Sequence, residues 1–214
     1  PALSSEYKSA VLIKGQARAL DPSALGKALA EKAMSMGAIF RQSAVNQISP
    51  GPNGGWDLQT EDGQINTDKL IVAAGAWSAR LLAPLGIKVP MEAERGYHLV
   101  FRDPGVTINN SIMDTEGKFV ASSMLTGVRC AGTAEFAGLD APPDYRRAKV
   151  FKRLGKRLFP GLNTDDAEEW MGTRPSMPDS LPCLGEIPGK SGLYAAFGHS
   201  HYGLGMAPQT GRII

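Results

Sequence analysis

Cysteine is scarce in this 214-residue chain: Cys130 and Cys183 stand far apart, without the close spacing of metal ligands. A disulfide-stapled scaffold and a cysteine-rich zinc module are thereby excluded. Two free, buried thiols in a reducing compartment are expected instead. No apolar run approaches the ~20 residues that a membrane-spanning helix needs. Neither sign of charge is in excess. The chain has 23 basic and 21 acidic residues, net +2, so the electrostatic footprint of a nucleic-acid binder is missing. The segment Pro1 to Lys8 is short and polar and carries no secretory signal. A cytoplasmic location is expected. Internal repeats and low-complexity tracts are also lacking. A Gly-x-Gly-x-x-Gly loop is missing from the early part of the chain. Gly203-Leu204-Gly205 comes too late for an acidic residue to follow at the required ~20 positions.

What is present describes an ordinary globular chain, 43% hydrophobic, long enough for one large or two small domains. Ala10–Lys14 reads as a short strand. Asp21 is a good N-cap and Pro22 suits the first helical position. Leu25, Leu29, Ala33 and Met36 recur at helical spacing until Gly37 stops the run. Residues 38–40 and 44–48 are strand-like. A strong turn over 50–55 leads into a meander, with strands over 56–60 and 63–66 about a turn at Glu61-Asp62. Leu70–Ala74 is a continuous apolar run, typical of a buried parallel strand. It feeds a Gly turn and a helix over 79–85. From Met91 to Ala137 the pattern changes to short strands and turns, an antiparallel sheet. A basic helix over 145–159, ended by Pro160-Gly161, reads as a solvated face rather than a binding patch. The chain starts on Pro1 and ends on Ile213-Ile214 inside an apparent helix, so a piece of a longer protein is expected.

The run Gly198-His199-Ser200-His201-Tyr202-Gly203-Leu204-Gly205-Met206-Ala207-Pro208 carries the most chemistry. It follows a strand-like Gly192–Phe197 and precedes Gln209–Ile214, read as the start of a helix. A strand that enters a glycine-rich turn opening a helix gathers free N–H groups and a positive helix end at one point. Such a point suits an anionic or electron-accepting ligand. The glycines let a flat ligand approach the backbone.

Five segments together resemble the FAD-dependent amino-acid oxidoreductases of the D-amino-acid oxidase superfamily. They are Ile71–Ser78, Glu94-Arg95-Gly96-Tyr97-His98, Arg129–Glu135, Gly172–Gly185, and the opening run through Gly211. The resemblance implies a fold of α/β plus α+β type. It consists of a partial Rossmann-like FAD-binding domain with a β-meander and an antiparallel-sheet substrate domain. The expected division is an edge segment of the substrate domain over 1–19, FAD-binding parts over 20–88 and 169–214, and the substrate sheet over 89–168. The family's glycine-rich pyrophosphate motif is missing, so the chain is expected to be a C-terminal fragment, the later half to two-thirds of a family member, with FAD held by the full-length protein.

The resemblance also implies roles. Arg174 would clamp the substrate carboxylate through two parallel hydrogen bonds, or else form a surface or interdomain salt bridge. Tyr97, His98, His201 and Tyr202 are substrate-side candidates, with at most one of Tyr97 and His98 able to face a site because neighbours on a strand alternate. Val45, Ala73, Ala74, Gly75, Trp77, Gly185, Gly198, His199, Gly203, Leu204 and Gly205 are cofactor-side candidates; plain packing is the alternative for Val45, Trp77 and the histidines. Pro182 to Gly185 would pass the flavin ring as an apolar wall, without a covalent link to Cys183. No nucleophile–base pair or metal set stands out. The implied activity is oxidation of an amino or imino acid at its C–N bond by hydride transfer to FAD, giving an imine and then a 2-oxo acid. Oxygen or a quinone would take the electrons. The parent would lie in the cytoplasm, with attachment to the cytoplasmic face of a membrane left open. The fragment alone is expected to be inactive. The alternative is a non-catalytic flavoprotein subunit or binding module.

Overall fold

The computed structural model describes residues 2–214. In chain order it contains α1 (Pro22–Ser35), β1 (Val45–Pro50), β2 (Trp56–Thr60), β3 (Gly63–Thr67), β4 (Leu70–Val72), α2 (Ser78–Leu82), β5 (Glu92–Phe101) and β6 (Ile112–Asp114). Then follow β7 (Phe119–Met124), β8 (Gly127–Phe136), α3 (Arg146–Leu158), β9 (Ala167–Ser176), β10 (Cys183–Glu186), β11 (Leu193–Phe197) and α4 (Gly203–Ile213). The residues divide into two compact units. One comprises 1–38, 95–135 and 142–172; the other comprises 39–94, 136–141 and 173–214. The division falls inside β5, after Glu94, and inside β9, after Gly172. α1 groups with the first unit, whereas the sequence division put residues 20–88 with the FAD-binding part.

The first unit is built on a sheet ordered β6-β7-β8-β5-β9, with β6–β7 and β7–β8 antiparallel. Its core holds Leu99, Phe101, Phe119, Val128 and Cys130 from the strands. α3 contributes Ala148, Phe151 and Leu158, spaced three and seven residues apart so that they share one face. Phe119 and Phe151 lie with ring centroids 5.9 Å apart. The opposite face of α3 carries Lys152, Arg153 and Lys156 in solvent, and Arg146, Arg147, Lys149 and Arg157 pair with Asp144, Glu135, Glu169 and Asp114. The basic helix is therefore the solvated face its composition suggested. Asp114 is buried and also ties down the start of the chain. Its Oδ2 accepts from Tyr7 Oη (2.7 Å) and Arg157 Nη2 (2.5 Å), and its Oδ1 accepts from the N–H groups of Glu116 and Gly117 (3.0 Å each).

α1 begins as expected. Asp21 caps it by accepting from the Ala24 N–H (3.0 Å), with Pro22 at the first turn. Its apolar stripe, however, is not buried: no residue of α1 is, and Met36 is 75% exposed. The strands expected over 10–14 and 38–40 are absent. Val11 is 91% exposed, and Ile39 and Phe40 are also in solvent. An apolar run becomes a strand only when a neighbour takes its hydrogen bonds and covers its side chains.

The second unit contains two small sheets. β1-β2-β3 is an antiparallel meander in which Leu58 lies beside Ile48 and Ile65. β10-β11-β4 is mixed: β10 runs antiparallel to β11, and β11 parallel to β4. The continuous apolar run at Leu70–Val72 is thus a parallel strand. Ile48, Trp56, Val72, Leu82, Leu193, Ala195 and Phe197 form the core beneath. The Trp56 indole N–H donates to the Ser191 carbonyl (3.1 Å), which satisfies its one polar atom.

Candidate functional site

The parallel pairing of β4 and β11 decides where the Gly turns go. Val72 lies beside Ala195, so the segments that leave β4 and β11 emerge at the same, carboxyl end of the sheet. Cys183, opposite Phe197, brings the start of β10 to that end as well. Ala73, Ala74 and Gly75 follow β4 there, and Gly198 and His199 follow β11. In open α/β sheets the carboxyl ends of parallel strands are where ligands bind. Gly75 (φ +54°) and Gly198 (φ +81°) both take the left-handed backbone that sharp exits require.

The turn over 198–202 is stitched in place. The Ser200 N–H donates to the Pro175 carbonyl (3.1 Å), and Ser200 Oγ accepts from the Met177 N–H (3.2 Å). His199 Nε2 pairs with Thr210 Oγ1 of α4 (2.8 Å). Burial pushes the His199 imidazole below its ordinary range, so it is held neutral as a structural link. α4 starts at Gly203, six residues earlier than the sequence pattern suggested. Gly203, Leu204, Gly205 and Pro208 therefore belong to the helix, not to the turn. Tyr202, at its N-cap, supplies no side-chain bond to the first N–H groups.

The central polar feature is a carboxylate that the sequence did not single out. Glu94, 9% exposed at its side chain, is held by three residues. Its Oε1 accepts from Arg174 Nη1 (3.1 Å). Its Oε2 accepts from Ser176 Oγ (2.7 Å) and lies 3.1 Å from His201 Nε2. Arg174 and Ser176 are two apart on β9 and so share a face. Burial alone would raise the Glu94 carboxyl. The Ser176 hydrogen bond and the charges of His201 and Arg174 outweigh it and hold the group below its usual range. Glu94 is therefore an anion at neutral pH. It lines a cleft of about 400 Å³ together with Ser176, Ser200, His201, Met177 and Phe136.

Of the substrate-side candidates, His201 and Arg174 meet at Glu94. Tyr202 follows His201 in the chain, exposed at the start of α4. Tyr97 and His98 belong to the first unit. Tyr97 is buried in its core, donating through Oη to Glu135 Oε2 (2.6 Å) and accepting from the Asp144 N–H (3.1 Å). His98, on the other face of the strand, stacks on Trp170 with centroids 4.7 Å apart. Among the cofactor-side candidates, Val45 opens β1 and packs on the second core, Trp77 is half exposed after Gly75, and Gly185 sits within β10. Only a map of contacts finds Glu94, because its partners lie 80, 82 and 107 residues away. Among the described residues no group of three or more His, Cys, Asp or Glu is arranged to hold a metal ion. No helix among them is long and apolar enough to cross a membrane.

A family model described as FAD dependent oxidoreductase (DAO) matches residues 1–214. D-amino-acid oxidase of Bradyrhizobium diazoefficiens is 37% identical over 218 residues, covering all of this chain and 52% of that protein. D-amino acid dehydrogenase of Paramagnetospirillum magneticum is 38% identical over 165 residues, covering 73% of this chain and 38% of its own length. Glycine oxidase from Geobacillus kaustophilus superposes with a TM-score of 0.76 at 25% identity, over 88% of this chain and 51% of that one. Iminodiacetate oxidase from Chelativorans superposes with a TM-score of 0.74 at 26% identity, over 88% and 52%. The chain spans about half the length, or less, of these relatives. The mixed α/β architecture with antiparallel sheets is that of the FAD-dependent oxidases, and the chain belongs to the DAO family of FAD-dependent oxidoreductases.

Proposed function

We propose that this chain is the larger part of the substrate side, and one part of the cofactor side, of a flavoenzyme that oxidises an amino or imino acid at its C–N bond. Its electron acceptor is oxygen or a quinone. The observation that carries the reading is Arg174, paired with the buried Glu94, whose carboxylate lines the cleft. Arg174 is one-third exposed. Its planar fork suits the carboxylate of an amino acid, and Glu94 restrains it so that less side-chain entropy is lost on binding.

The residues present fit FAD. A Cβ added at Gly75, Gly185 or Gly205 would meet nothing within 4 Å, so the backbone there is open to a flat group. The uncapped start of α4 offers N–H groups and a positive helix end to an electron-rich edge. Ala73, Ala74, Gly75 and Gly198 would border the cofactor, with Gly203, Leu204 and Gly205 beneath it; Trp77, Val45 and Gly185 lie further along the same unit. FAD, when bound, supplies the two-electron acceptor. The chain has no Gly-x-Gly-x-x-Gly loop to take the pyrophosphate, so by itself it holds FAD weakly and is inactive.

The test uses the full-length, FAD-loaded protein with a panel of D-amino acids, glycine and N-methyl amino acids, following loss of flavin absorbance without oxygen. Bleaching by at least one of them is expected; no response to any would overturn the reading. Arg174→Ala should raise KM roughly 10- to 100-fold, the worth of a charged hydrogen-bond pair. An unchanged KM would remove Arg174 from the carboxylate role.

A further inference from the structure

An α-amino acid is mostly an ammonium ion at neutral pH. The nitrogen lone pair needed for C–N oxidation appears only after a proton leaves. We propose that His201 accepts that proton and that Glu94 is the positioning residue that sets the imidazole for the task; this rests on the amino-acid reading above.

Arg174 and Ser176 donate to Glu94 and keep it ionised while His201 is neutral. An ionised carboxylate only accepts hydrogen bonds. Glu94 Oε2 lies 3.1 Å from His201 Nε2, so Nε2 must carry the hydrogen. The neutral imidazole then has its lone pair on Nδ1, free to take a proton. When it does, the N–H bond of the ammonium breaks, an Nδ1–H bond forms, and the amine keeps the electron pair. The resulting imidazolium is balanced by Glu94, which is already buried and charged. No redox partner enters this step.

Position and access agree with the role. His201 lines the same cleft as Glu94, and 54% of its side chain remains exposed. Arg174 occupies Oε1 of that carboxylate and His201 occupies Oε2. The cation suited to an α-carboxylate and the base suited to the neighbouring amine are therefore spaced by a single carboxylate. The charged groups that face the imidazole in its unit are Glu94 and Glu92 of β5 and Arg174 of β9. Ser176 fixes the carboxylate from β9, and Ser200 pins the backbone next to His201. His199, one turn away, cannot substitute. Its Nε2 is engaged with Thr210, and it does not line the cleft.

Two measurements test the proposal. The first uses the 214-residue chain and needs no cofactor. Imidazole ¹⁵N shifts should show His201 protonated at Nε2 near neutral pH, and Glu94→Ala should abolish that preference. A wild-type Nδ1–H tautomer, or a tautomer unchanged in the variant, would overturn it. The second is the pH profile of kcat/KM for the full-length flavoprotein. With His201→Gln, only substrate that has already lost its proton in solution can react. Then kcat/KM should fall roughly 100-fold near neutral pH, rise about tenfold per pH unit, and approach wild type in alkali. A loss of equal size at every pH would mark a merely structural role and sink the proposal. If His201→Gln matches wild type while amino acids are oxidised, the function stands and the proton acceptor falls. If no amino acid is oxidised, both fall.

Discussion

At the residue scale, Asp114 and Glu94 show how a buried carboxylate is kept charged by opposite means. Asp114 serves the fold. Its four donors overcome the cost of burial and hold its carboxyl at about 2, down from 3.8. A group whose folded value is depressed contributes stability above its unfolded value and loses it as pH falls. The contribution, about 2 kcal/mol, should be complete above about pH 4 and vanish toward pH 2. Asp114→Asn should lower stability at neutral pH and flatten the acid limb of a urea-denaturation series across that window. A parallel-shifted limb would disprove the assignment. Glu94 serves the cleft, and its three donors include two that can also meet a ligand. The sequence hinted at neither role. In the sequence Glu94 is only the first residue of the segment Glu94–His98; the partners that define it come from β9 and the 198–202 turn. Arg174 was singled out through the family resemblance, whereas its pairing with Glu94 was not anticipated.

At the scale of elements, legibility followed the range of the forces involved. The Asp21 cap, the hairpin at Glu61-Asp62 and the end of α3 near Pro160-Gly161 depend on residues within a few positions, and all formed as expected. Leu70–Val72 is the parallel strand that its apolar run suggested, although it is an edge strand on which Ile71 is 51% exposed rather than a strand buried on both faces. The strand at 10–14 failed because its apolar residues meet no pairing partner, which no local pattern reveals. α4 begins at Gly203, before the expected start at Gln209, and takes Pro208 into its interior, where the missing N–H leaves a helical hydrogen bond unmade. The 198–202 turn has less latitude. Gly198 has a positive φ, and a Cβ there would come 2.9 Å from Met177 Cγ. Gly198→Ala should cost about 2 kcal/mol or more, combining left-handed strain with overpacking. Adding Met177→Ala should return the packing part only, read as a partial recovery of the urea midpoint. Full recovery would show that the backbone angle costs nothing.

At the scale of the whole molecule, the chain carries two cores, one in each unit, and, in the function proposed above, one cofactor-side edge. It lacks a glycine loop for a pyrophosphate. The purified 214-residue chain should therefore be colourless after gel filtration with added FAD. A yellow sample holding about one flavin per chain would show that the edge alone suffices for tight binding. The cysteines carry a further consequence. Cys130 lies in the first core, its thiol pushed up to about 12 by burial, and Cys183 lies at the rim of the second, raised by burial and by Asp179. Because the thiolate is the reactive form, each sulfur becomes available only when its own surroundings open. The chain thus carries one native clock per unit. Pulse alkylation read by mass spectrometry, with no engineered probe, should tag Cys183 well before Cys130 as urea rises. Identical tagging curves would instead mean that the two halves come apart in a single event.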